Sequence, residues 1–137
     1  MAGICTTTID RESRTIYLVD DSPVVRTRMM TVLGDLERVS IVGHAVTSQE
    51  AMAAVPVLKP DIVIMDARPG GEDAAELLRF LRKLDPSPVG IVFTHCSSPE
   101  LRQCCLDAGA DYFFDKSRDI QRITQLVVRL TDRAALN

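Results

Sequence analysis

The run Ile62-Val63-Ile64-Met65 constrains this chain more than any other stretch. All of it is apolar, with no polar residue alternating along it, so both faces of the predicted strand must be covered. Such a strand belongs in a parallel sheet sandwiched by helices. Asp61 precedes the run and Asp66 follows it. Arg68, Pro69, Gly70 and Gly71 then end it in a loop. An aspartate at that boundary is not needed for folding, which makes Asp66 the first candidate for chemistry.

The remaining chain repeats a strand-then-helix pattern. Residues 1–14 are polar and aperiodic and read as a loose lead-in; residues 15–137 read as one domain. Ile16-Tyr17-Leu18-Val19 predicts a buried strand ending at Asp20-Asp21, and Ser22-Pro23 opens a helix with Val25, Met29, Val32 and Leu36 on its apolar face. Val39 to Gly43 predicts the second strand. Thr47 and Glu50 form a capping box for the second helix, which Pro56 should kink or end early. Ala74, Leu77, Leu78, Leu81 and Leu84 mark the third helix, and Arg79, Arg82 and Lys83 read as its solvated face. Val89 to Phe93 predicts a strand ending at Thr94, and Ser97 with Glu100 a capping box. Leu101, Cys104, Cys105 and Ala108 give the fourth helix its buried side. Ala110 to Phe114 predicts the last strand, ending at Lys116, with a final helix over 119–134.

Five βα units imply a parallel sheet between helix layers. Of two plausible strand orders, 2-1-3-4-5, the flavodoxin-like one, is preferred. Ligands then bind at the carboxyl ends of the strands, beside the switch point. Asp20, Asp21, Asp66, Thr94 and Lys116 all fall on that edge.

Charge and composition narrow the function. With 16 Lys+Arg against 19 Asp+Glu, the net charge is −3, so nucleic acid is not favoured as a direct partner. No apolar run approaches the ~20 residues that span a bilayer. The first residues lack the basic and apolar regions of a secretory signal, so a cytoplasmic location is expected. Cys5, Cys96, Cys104 and Cys105 contain no C-x-x-C pair and read as reduced thiols; a zinc site using His95 lacks ligand spacing and a fourth ligand.

Asp20, Asp21 and Asp66 placed together repel one another, at about 4 kcal/mol for two charges ~4 Å apart at an effective dielectric near 20. A counter-cation is required. Oxygen-only ligands point to a hard divalent ion, and Mg²⁺ is the natural candidate. Lys116 adds positive charge. With a phosphoryl donor, Asp66 would be the nucleophile, and Mg²⁺, Lys116 and the Thr94 hydroxyl would take the phosphoryl oxygens. An acyl phosphate hydrolyses slowly in water, which suits a temporary signal.

At this point the sequence resembles a known family. Asp20-Asp21, Asp66, Thr94 and Lys116, in that strand-end order, match the bacterial response-regulator receiver domain. So does the stretch Ala108-Gly109-Ala110-Asp111-Tyr112-Phe113-Phe114-Asp115-Lys116. The resemblance runs from about Thr15 into the last helix. It implies a CheY-like fold, in which Asp21 ligates Mg²⁺ directly, Asp20 does so directly or through water, Asp66 also coordinates, and the backbone carbonyl of Arg68 completes the set. It implies that Thr94 and Phe113 form a switch pair, and that the fourth helix, fifth strand and fifth helix make the face that partners read. Phosphorylation would come from a histidine kinase or phosphotransfer protein. The chain departs from the family's common pattern at Ser117, where proline with a cis bond often stands. It departs also at Pro69, one place early, and at His95, which is bulky where a small residue is usual.

The last helix nearly fills the stretch after Lys116, so a stand-alone receiver acting on a downstream protein is expected, with homodimerisation through the fourth and fifth helices a further option. The alternatives are a fragment of a larger transcription factor and a receiver-like binding module that is never phosphorylated. A phosphatase is disfavoured, because Ala67 and Arg68 supply no second acid beside Asp66.

Overall fold

A computed structural model describes residues 14–67, 72–95 and 98–136, with side chains described as far as Thr131. The expected lead-in lies outside them except for Arg14, which opens the first strand. The expectations for Arg68, Cys5, Cys96 and Ser97 also fall outside the described residues. The elements in chain order are β1 (Arg14–Val19), α1 (Pro23–Gly34), β2 (Val39–Ala45), α2 (Ser48–Leu58), β3 (Ile62–Met65), α3 (Glu72–Arg82), β4 (Val89–Thr94), α4 (Pro99–Asp107), β5 (Tyr112–Asp115) and α5 (Ile120–Leu136). The five strands are parallel and ordered β2-β1-β3-β4-β5, as preferred from the sequence.

Alternate residues of each strand serve opposite layers, since successive strand side chains point to opposite faces. Tyr17, Val19, Val63, Met65 and Val92 pack with Ala51 and Val55 of α2, Leu77, Leu78 and Leu81 of α3, and Leu101 and Cys105 of α4. Ile16, Leu18, Ile62, Ile64, Ile91 and Phe93 pack with Met29 and Leu33 of α1 and with Ile123, Leu126 and Val127 of α5. The unbroken apolar run in β3 follows from this double cover. The inner face of α1 uses Leu33, fully buried, where Val32 was expected and is only partly buried.

Local chemistry sets the helix starts. Ser22 accepts from the Val25 N–H at 3.3 Å to cap α1. Thr47 accepts from the Glu50 N–H at 3.2 Å, while Glu50 accepts from the N–H groups of Val46 and Thr47 at 2.9 and 3.1 Å. Those backbone donors, Val46 first, hold the Glu50 carboxyl below its usual range. Pro56 does not stop α2, which runs on to Leu58. A proline removes one helix N–H bond, and here it does so in the final turn. Lys59 then turns left-handed (φ 51°) and donates its N–H to Val55 at 2.8 Å. The cap of α4 is Ser98, one residue beyond the expected Ser97; it accepts from the Leu101 N–H at 3.1 Å. The Lys116–Ser117 bond is not among the cis bonds of the described residues, so Ser117 does not reproduce the family's cis bend.

Arg79, Arg82 and Lys83 are all exposed, as the sequence suggests, but the Arg82 guanidinium is also engaged. It crosses from α3 to the start of β4, donating to Asp111 Oδ2 at 3.2 Å and to the Pro88 carbonyl. Asp111 Oδ2 also accepts from the Gly90 N–H at 2.8 Å, so one carboxylate ties α3, β4 and the approach to β5 together. The Arg82 stem leaves no room at Gly109: a Cβ there would lie 2.7 Å from Arg82 Cγ, and its φ is +111°. Among the described residues, no helix is long and apolar enough to cross a membrane.

Gly109→Ala should therefore lose about 1–3 kcal/mol of stability, the usual cost of a disfavoured backbone. Gly34 ends α1 with nothing within 4 Å of its Cβ position, so Gly34→Ala should gain up to about 1 kcal/mol. Urea midpoints of the two variants would check this, and a shift in the same direction for both would contradict it.

Candidate functional site

The sheet register builds the site. β1 and β3 end level, Val19 beside Met65, and β4 and β5 pair Thr94 with Asp115. Three strands, β1, β3 and β5, then extend one hydrogen bond past their last residue. Asp66 donates its N–H to Val19 at 2.9 Å, Asp20 donates to Ala45 at 3.0 Å, and Lys116 donates to Thr94 at 2.8 Å. The backbone of all three candidates is thus held by the sheet, so their side chains start from fixed positions.

Those side chains converge. Lys116 Nζ lies 2.7 Å from Asp20 Oδ2 and 3.4 Å from Asp66 Oδ2. The Lys116 side chain is only 4% exposed, and Asp20 is buried, while Asp66 is partly open and Asp21 is exposed. Carboxylate oxygens of Asp20, Asp21 and Asp66 lie within 4.8 Å of one another. Asp20 is secured further: its Oδ1 accepts from the Ser22 N–H at 2.9 Å, and its carbonyl accepts from Arg26 Nη1 at 2.8 Å. Arg26 was not singled out in the sequence. Its spacing from Asp20 across the first turn of α1 was the only available signal, and that spacing is common.

Thr94 is 1% exposed and donates its hydroxyl to the Ala67 carbonyl at 2.6 Å. It therefore crosses from β4 to the loop directly after Asp66. Burial is the largest influence on the Asp66 carboxyl and raises its pKa above the ordinary value. The Lys116 charge opposes that, the Asp20 charge adds to it, and hydrogen bonds from Lys116 and Thr94 oppose it. The net direction is upward.

The donor set suits Mg²⁺. It offers carboxylate oxygen alone, from Asp20, Asp21 and Asp66, in a cup open on the Asp21 side. A small hard cation that retains waters matches such a half-open site. Arg68, the proposed carbonyl donor, lies outside the described residues. His95 is exposed at the rim, after Thr94. Phe113 is partly buried against the core layer that contains Cys105 and Leu101, and the Arg102 guanidinium carbon stands 5.8 Å from its ring centroid. Tyr112 and Phe114 belong to the opposite layer, as strand alternation requires, and their rings stack 6.4 Å apart.

Five strand-end residues from four neighbouring strands meet at one lip of the sheet. The response regulator receiver domain family matches residues 16–128. Response regulator GacA of Pseudomonas aeruginosa is 29% identical over 112 residues, covering 82% of this chain and 52% of GacA. Protein-glutamate methylesterase/protein-glutamine glutaminase 1 of Carboxydothermus hydrogenoformans is 32% identical over 111 residues, 79% of this chain and 32% of that enzyme. The chain thus spans about half the length, or less, of these relatives. A LuxR-family two-component response regulator from Aurantimonas sp. SI85-9A1 superposes with a TM-score of 0.78 at 27% identity, covering 88% of this chain and 86% of that one. On the match over residues 16–128, this chain belongs to the response-regulator receiver-domain family of two-component systems.

Proposed function

We propose that Asp66 accepts a phosphoryl group from a histidine kinase or phosphotransfer protein, and that the modified domain is read by a downstream protein. The observation that carries this reading is the approach of one buried ammonium, Lys116, to both Asp20 and Asp66. In the step envisaged, an Asp66 carboxylate oxygen attacks the phosphorus of a phosphohistidine. A P–O bond forms, the P–N bond breaks, and the electron pair leaves with the imidazole, which takes up a proton. Lys116 is placed to balance the negative charge on the transferred group, and Thr94 to donate a hydrogen bond to it. A Mg²⁺ ion held by Asp20, Asp21 and Asp66, with the Arg68 carbonyl, would supply further positive charge for the phosphoryl oxygens.

The switch follows from Thr94 and Phe113. Before modification the Thr94 hydroxyl is engaged by Ala67 at 2.6 Å. A phosphate on Asp66 offers it a stronger, charged acceptor. Movement of the hydroxyl would vacate space into which Phe113 can turn, repacking α4, β5 and α5. The phosphate thereby biases a pre-existing pair of conformations. No turnover of a substrate is assigned to the domain, which extends over residues 15–137, and a cytoplasmic location goes with this reading. The methylesterase named above is a property of that relative. A larger regulator remains the second reading, because the chain spans 52% of GacA.

Acetyl phosphate with Mg²⁺ should add one phosphoryl group to the wild-type chain and none to Asp66→Asn; stoichiometric labelling of that variant in an intact-mass measurement would refute the site. Free Mg²⁺ at about a hundredfold its Kd should add about 2.7 kcal/mol of stability. Asp21 is exposed, so Asp21→Ala should fold normally yet lose most of that gain at the same concentration. Equal thermal shifts with Mg²⁺ in the two proteins would contradict the ligand assignment.

A further inference from the structure

Lys116 carries the positive charge of the site, yet it stands in a turn, just past the end of β5. A lysine side chain is long and flexible, so its tip is placed only as well as its backbone is. Two acids flank it. Asp115 precedes it and Asp119 stands three residues beyond, with side chains only 10% and 19% exposed. Aspartates are seldom enclosed to that degree unless they have partners.

Here the partners are the turn itself. Asp119 Oδ2 accepts from the Asp115 N–H at 2.9 Å, and the Asp119 N–H donates back to the Asp115 carbonyl at 2.8 Å. Asp115 Oδ1 accepts from the Ser117 N–H at 2.8 Å and from the Ser117 hydroxyl. The Asp115 carbonyl also accepts from the Arg118 N–H at 3.2 Å, and the Thr94 carbonyl from the Lys116 N–H at 2.8 Å. Each of the five backbone N–H groups from Asp115 to Asp119 thus has an acceptor, and Asp115 supplies three of them. Two of the acceptor groups are carboxylates, which make stronger hydrogen bonds than neutral oxygens do. Arg118 and Arg122 reach the same acids only at 3.8 and 3.7 Å, from side chains 77% and 72% exposed. Such exposed pairs add little, so the backbone bonds set the turn. A proline at position 117 could give Asp115 neither of the bonds that Ser117 gives it.

We infer that Asp115, Ser117 and Asp119 form a clasp that positions Lys116: the turn they close fixes its backbone and so aims its ammonium between Asp20 and Asp66. They are positioning residues, and it is Lys116 that reaches the two carboxylates, at 2.7 and 3.4 Å. Misplacement of a reacting group by about 1 Å can slow a reaction about a hundredfold. The inference deepens the proposed function. Its kinetic consequence rests on Asp66 as phosphoacceptor, whereas the clasp rests on the hydrogen bonds alone.

Asp119→Ala removes the acceptor of the Asp115 N–H, and Asp119→Asn leaves a weaker, neutral one. The proton–nitrogen NMR signal of the Lys116 ammonium, seen when the group is enclosed and held, reads its position without metal or phosphodonor. That signal should be sharp in the wild type, broadened in Asp119→Asn and lost in Asp119→Ala. Labelling by acetyl phosphate with Mg²⁺, followed by intact mass, should slow about ten- to a hundredfold in Asp119→Ala and less in Asp119→Asn. Amide hydrogen exchange should quicken from Asp115 to Asp119 and stay unchanged in β1, β3 and β4. Where Asp119→Ala fails to fold, Asp119→Asn carries the test, and a wild-type ammonium signal and labelling rate in it would overturn the clasp. Faster exchange throughout the sheet in Asp119→Asn would make the role merely structural and overturn it too. A labelled wild type whose Asp119→Ala form keeps the signal and the rate would overturn the clasp alone. A wild type that takes no label, with the signal lost in Asp119→Ala, would overturn the phosphoacceptor reading and leave the clasp standing.

Discussion

A buried ammonium held by two carboxylates governs this structure. Lys116 is almost wholly enclosed and lies 2.7 Å from Asp20 and 3.4 Å from Asp66. Removing such charges from water costs several kcal/mol per ion, and a buried pair seldom recovers more than apolar packing would give at the same place. Stability therefore does not account for it. The proposed phosphoryl transfer would account for it, because the cation would then be set in advance where negative charge arrives.

The rest of the fold holds that constellation in position. Apolar side chains alternate between two layers, so β1, β3 and β4 are gripped from both faces. Register then brings Val19 level with Met65, and Thr94 level with Asp115. Hydrogen bonds carry the sheet one residue further at Asp20, Asp66 and Lys116. The strands thus deliver the charged groups, and the proposed switch would act on α4, β5 and α5. The link between these regions is short: Thr94 touches the loop after Asp66, and Phe113 sits on the neighbouring strand.

Much of this was legible in the sequence. Uninterrupted apolar runs such as Ile62 to Met65 announce doubly covered strands, and the polar residues that follow the runs of β1, β3 and β4, namely Asp20, Asp66 and Thr94, mark the candidate edge. Local capping was legible too where the box was complete, as at Thr47 and Glu50. What escaped were long side chains whose partners are distant. Arg82 reads as a surface residue and is one, but its bonds to Asp111 and Pro88 become visible only in the fold. Arg26 and Arg102 likewise depend on where a neighbouring backbone or ring ends up. Pro56 misled for a different reason: its penalty depends on how much helix follows, and only Val57 and Leu58 do.

The central claim is that the carboxylate beside Lys116 carries the phosphate. Borohydride reduction traps an acyl phosphate by converting the modified aspartate to homoserine, and peptide sequencing by mass spectrometry then locates it. After treatment with a phosphodonor and Mg²⁺, conversion at Asp66 alone is expected. Conversion at Asp20 or Asp21, or none at any aspartate of the treated protein, would contradict the account.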